Sequence, residues 1–182
     1  MTISASISVG VIIAREEIDH PWQDHVWRVV SILPGAPDIS KWQEVAQGDG
    51  WVQYHAATLP LELFRKETSA YLYNLGNREP VIYVVMREAE EDDAPNPVEV
   101  HLVTASPYEA QDYLDTGEDL VDSVEMPEDV LMWIKGFVDQ HHEEEEFYKR
   151  RQVKENLKEH KFGQEPILEL RKRMQNGSAG NG

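Results

Sequence analysis

The 182-residue chain carries 17 Lys/Arg against 34 Asp/Glu, a formal net charge of −17, and contains no cysteine. That length suits one domain plus an appendage, and a cysteine-free chain has no disulfides, no thiolate metal ligands and no thiol nucleophile. No apolar run approaches the roughly 18 residues a membrane-spanning helix needs.

The N-terminal stretch MTISASISVGVIIAREE lacks a basic leader region and a continuous apolar run. It reads as a strand rather than a signal peptide, which with the missing cysteines favours a cytoplasmic protein. Ile3, Ala5, Ile7, Val9, Val11 and Ile13 alternate with mostly small or polar residues, the period of a half-buried strand. Residues 25–34 (HVWRVVSILP) are rich in β-branched and aromatic types and close on the turn Pro34-Gly35. Trp51 to Ala57 is a further strand candidate; Leu59, Leu61 and Leu63 then alternate with Pro60, Glu62 and Phe64, a pattern that continues to about Lys66. Residues 68–76 (TSAYLYNLG) read as a short helix, with Thr68 placed to cap its start and Gly76 its end. Val81 to Met86 is apolar on both faces, as expected of a central strand covered on both sides. The acidic run Glu88 to Asp93, followed by Ala94-Pro95-Asn96-Pro97, is a hairpin loop leading into a partner strand in which Val98, Val100 and Leu102 alternate with Glu99, His101 and Val103.

Ser106-Pro107-Tyr108-Glu109 is a helix start, with a capping serine, proline in the first turn and glutamate to complete a capping box. That helix ends near Gly117 and is followed by a strand at Leu120–Glu125. Pro127, Glu128 and Asp129 open the last core helix, whose Val130, Ile134, Phe137, Val138 and His141 share one face. Many strands with a helix at the end imply an α+β fold: an antiparallel sheet or partial barrel of about six to eight strands, with a short helix and a C-terminal helix packed on it.

Charge divides the chain in two. Residues 1–148 hold 8 Lys/Arg and 30 Asp/Glu, giving −22, whereas residues 149–182 hold 9 and 4, giving +5. The expected organisation is an acidic domain over 1–146 and a projecting basic helical tail over 147–182 that ends in a disordered segment. So acidic a body disfavours nucleic acid and anionic membranes and favours basic protein partners, although such charge also serves plain solubility.

Functional side chains concentrate in His20-Pro21-Trp22-Gln23-Asp24-His25-Val26-Trp27-Arg28. His20, Asp24 and His25 are ligand types zinc accepts, but their spacing matches no compact metal motif. Trp22, His25, Trp27 and Arg28 suit a partner contact, since aromatic and arginine side chains anchor interfaces; in the structural alternative the tryptophans cover a core edge. His141 and His142 end the core helix and could share a metal with Glu145 and Glu146, or simply pair with them on a charged helix surface. Phe147, Tyr148, Lys149, Arg150 and Arg151 are candidate docking residues of the tail, with a solvated helix as the alternative. Phosphate-binding glycine loops, a G-x-S-x-G elbow and H-E-x-x-H are all missing, which argues against an enzyme, and nothing in the sequence calls for a cofactor.

Val9-Gly10-Val11-Ile12, the cluster from His20-Pro21-Trp22 to Trp27-Arg28, and Leu33-Pro34-Gly35 resemble the start of an uncharacterised bacterial family, domain of unknown function 3305. Leu61 to Thr68 with Tyr71 and Asn74-Leu75, Val103 to Pro107, Val124 to Pro127, and His141-His142 through Phe147, Lys149 and Arg150 extend the resemblance over roughly residues 7–151. Members of that family are commonly encoded beside molybdenum-dependent formate dehydrogenase genes. The resemblance therefore implies an accessory factor or small subunit whose partner is formate dehydrogenase, and it supplies no catalytic residues. The alternative is a metal- or small-molecule-binding protein that handles a cofactor through its histidine clusters.

Overall fold

The computed structural model describes residues 4–91 and 94–142; the tail candidates Phe147 to Arg151, and the partners Glu145 and Glu146, lie outside them. The described residues fall in one compact unit, Met1–His142. Two antiparallel sheets form it. The first has the order β2-β1-β4-β3, from β1 (Ser4–Glu17), β2 (His25–Pro34), β3 (Gln43–Gly48) and β4 (Trp51–Phe64). The second has the order β6-β5-β7, from β5 (Val81–Glu88), β6 (Val98–Thr104) and β7 (Leu120–Glu125). Helices α1 (Thr68–Leu75), α2 (Pro107–Thr116) and α3 (128–142) complete the described unit. The α+β expectation therefore holds.

The sheets meet along two seams, β2 beside β7 and β4 beside β6, which makes the seven strands a partial barrel. Neither seam is a backbone ladder. At the first, the Asp122 carboxylate of β7 accepts the Val29 N–H of β2 at 2.9 Å, satisfying an edge donor with a side chain. At the second, β3 pairs only with Trp51–His55, so the far half of β4 is left to face β6. Register shifts at Val11/Ile12 and Ile12/Ile13 of β1, and at Val85/Met86 of β5, supply the extra twist that curls the sheets.

The core fills the barrel. Val9, Val11 and Ile13 of β1, Leu61 and Leu63 of β4, and Ile82 and Val84 of β5 meet Val130, Ile134, Phe137 and Val138 of α3. These four α3 residues lie on one face at helical spacing, as the pattern predicts. In β1 the expected half-buried alternation gives way to a continuous buried run from Val9 to Ala14. Gly10 is the reason on its second face, because Ala36 and His55 close over its bare backbone. In β5, Val85 is buried on the face away from the core, where α2 packs on the three-stranded sheet, so the strand is covered on both sides.

The capping serine of α2 is in place: Ser106 Oγ accepts the Glu109 N–H at 3.1 Å, and Gly117 ends the helix with φ 72°. The capping box closes through an intermediary, since the Thr104 hydroxyl accepts the Ser106 N–H and donates to Glu109. Helix α1 differs from expectation at its start. A 3-10 turn, Arg65–Glu67, leads into it, so Thr68 lies inside the helix and donates back to the Arg65 carbonyl instead of capping.

Tyr71 anchors α1. It is buried, stands edge-on to Phe137, and its hydroxyl accepts the Phe64 N–H at 2.9 Å. Burial, reinforced by the nearby Glu67, Glu109 and Glu62 carboxylates, pushes its phenol up to about 12. An unfolded chain releases that proton near pH 10. Stability present below pH 10 is therefore lost as pH rises from 10 toward about 12. In urea titrations across that range, Tyr71→Phe should flatten the alkaline loss while costing about 1 kcal/mol at neutral pH for the stranded amide. An unchanged alkaline slope would assign the loss to other groups.

Candidate functional site: an aromatic-floored groove at the barrel mouth

Strand alternation separates the residues that sit together in sequence. Trp27 and Arg28, adjacent on β2, point to opposite faces. Trp27 turns inward and packs against Trp42 and Tyr54, with ring centroids 5.7 and 6.1 Å away; Trp42 and Tyr54 are themselves 5.7 Å apart. Arg28 turns outward and pairs with Glu16 at 2.6 Å, an exposed bridge worth well under about 1 kcal/mol. Trp22 sits on the β1–β2 loop and is 85% exposed. His20, on the same loop, accepts the Trp22 N–H through Nδ1. Asp24 is exposed, and its carbonyl accepts the Ile18 N–H across the loop. His25 opens β2 opposite Glu17 and is exposed.

The other histidine pair is split as well. His141 packs at a tilt against Phe137, ring centroids 4.5 Å apart, while His142 Nδ1 is 3.2 Å from the Thr68 hydroxyl. Among the described residues no three His, Asp or Glu side chains converge as a metal-holding group.

Two adjoining hollows lie at the mouth of the barrel around the 89–97 loop. One, of about 790 Å³, is lined by His25, Trp27, Met86, Glu88, Val98 and Leu120, among others. Its neighbour, of about 480 Å³, is lined by Lys41, Trp42, Leu59, Glu99 and Val100, among others. Ala89, Ala94, Asn96 and Val98 border both, so the hollows form one interrupted groove. Trp27 and Trp42, in mutual contact, link the two floors. Among the described residues the lining carries the carboxylates Glu88, Glu91 and Glu99 against the single ammonium of Lys41. An apolar floor under a carboxylate edge can hold aliphatic or aromatic side chains and attract cations.

Of the sequence candidates, the groove gathers His25 and Trp27 and leaves Trp22 and Arg28 outside its lining. Trp42, Met86 and Leu120 were not foreseen. Only Trp42 carried a signal, as a lone tryptophan in an otherwise polar stretch between strands. Among the described residues no helix is long and apolar enough to cross a membrane. No curated protein and no solved structure matches the chain. The family model described as "Protein of unknown function (DUF3305)" matches residues 8–151, and the chain belongs to that family.

Proposed function

We propose that this protein is a non-catalytic, protein-binding accessory factor or small subunit of a molybdenum-dependent formate dehydrogenase system. The observation that carries the binding part is the open groove: partly exposed aromatic and aliphatic side chains floor it, and carboxylates edge it. Interfaces take their energy from such anchors, and charged edges steer the partner's approach. The enzyme system comes from the gene neighbourhood that the family resemblance implies, and the net charge of −17 suits a basic docking surface on it. Tagged protein recovered gently from its native host should bring formate dehydrogenase subunits at near-stoichiometric yield. Partner-free protein at full yield would overturn the reading.

A second reading has one observation in its favour. The larger hollow, at about 790 Å³, falls in the size range of small-molecule sites. Native mass spectrometry separates the two: a constant added mass of a few hundred daltons and no protein partner would favour the small molecule.

A further inference from the structure

We infer that the groove at the barrel mouth binds an extended segment of the partner protein in which lysine or arginine alternates with apolar side chains. This rests on the protein-binding reading and adds the chemistry of what is bound.

Three observations lead to it. First, the charge of the lining is one-sided. Glu88, Glu91 and Glu99 are exposed, and among the described residues Lys41 is the one opposing ammonium, so an acidic segment or a nucleic acid would be repelled. Second, the three rings of Trp27, Trp42 and Tyr54 touch one another and leave no gap for a cation between them. A guanidinium or ammonium would meet this cluster from the hollows that Trp27 and Trp42 line, beside the carboxylates. Third, the site is two hollows bordered by the same Ala89, Ala94, Asn96 and Val98, with apolar floors on both sides. A compact ligand fills one hollow, whereas an extended chain spans both. Its alternate side chains then go down to Met86, Val98 and Leu120 or up to the carboxylates.

The test uses the full chain and two fluorescein-labelled decapeptide pools, read by fluorescence anisotropy. One pool has arginine, leucine and glycine in fixed proportion and random order; the other has glutamate in place of arginine. The arginine pool should bind, and the glutamate pool should not. Glu88→Lys with Glu91→Lys should weaken binding by at least about tenfold. Asp112→Lys with Asp115→Lys changes net charge equally on the exposed surface of α2 and should stay within about twofold. Melting curves confirm that both variants are folded. An equal fall in both, or equal binding of the two pools, would overturn the inference, since general attraction to an acidic body would then suffice.

Recovery from the host separates this inference from the broader one. Formate dehydrogenase subunits that accompany the Glu88→Lys, Glu91→Lys variant as fully as the wild type would sink the groove and leave the accessory role standing. Their absence from the wild type would sink the accessory role itself.

Discussion

Replacing Asn74 by alanine should cost about 3–4 kcal/mol of folding stability, read as a shift of the urea midpoint. Asn74 is fully buried on α1, and its amide replaces a missing stretch of secondary structure. Nδ2 donates to the Val81 carbonyl at 2.7 Å and to the Ala105 carbonyl at 2.9 Å, while Oδ1 accepts the Val81 N–H at 3.1 Å. One side chain therefore fixes the entry of β5 and the junction between β6 and α2. Alanine strands three backbone groups, one of them beside a wholly buried carbonyl site, at about 1–3 kcal/mol each before any water enters. Leucine restores the volume and none of the hydrogen bonds, so it should rescue little. A cost below about 1 kcal/mol for alanine would mean that water replaces the amide freely and that α1 is held by Tyr71 instead.

Gly10→Ala should cost about 2–4 kcal/mol through overcrowding. A Cβ at this position would lie 2.7 Å from Ala36 Cβ and 2.9 Å from His55 Nε2, both inside contact distance. The imidazole cannot swing away without loss. The Thr58 hydroxyl gives its one proton to the Pro37 carbonyl at 2.6 Å, so His55 Nε2–H is the donor in the 2.8 Å bond to Thr58. Moving the ring breaks that chain and lifts the 36–37 segment from β1. Overpacking of this kind costs about 1–3 kcal/mol, and a lost hydrogen bond about 1 more. Combining Gly10→Ala with His55→Ala vacates part of the space, so the double variant should be less damaged than the sum of the two by about 1 kcal/mol. Strict additivity would place the clash elsewhere.

Gly10 also illustrates what was legible beforehand. Period two locates β1 although its middle is buried on both faces, and the β-branched and aromatic run HVWRVVSILP gives β2 its observed ends although Val26 and Leu33 are exposed. The α3 stripe and the Ser106 cap were equally plain, being local signals with local causes. β3 was missed. Its sequence QEVAQG has one large apolar residue, Val45, and that one is 53% exposed. Such an edge strand exists because β4 offers it a ladder, which is a tertiary cause. The groove was hidden for a similar reason. Trp27, Trp42, Met86 and Leu120 come from three strands and a connecting segment, and only the curvature of the sheets brings them to one mouth. The dense run from His20 to Arg28 suggests a single site, but His20, Trp22 and Asp24 stay on the β1–β2 loop and alternation along β2 sends Trp27 and Arg28 to opposite faces.

The position of α3 at the end of the described unit bears on how the chain folds as it is made. Synthesis delivers the N-terminal strands first. All four strands of the first sheet are present once Phe64 has emerged, with Val9, Val11 and Ile13 already aligned on the inner face. Val130, Ile134, Phe137 and Val138, which cover that face, come more than sixty residues later. For that interval the nascent chain carries an apolar sheet face that α3 does not yet cover, the kind of surface that chaperones hold and neighbouring chains stick to. Ribosome-bound chains halted before residue 130 has emerged should therefore be chaperone clients, and those halted after residue 142 has emerged should be released.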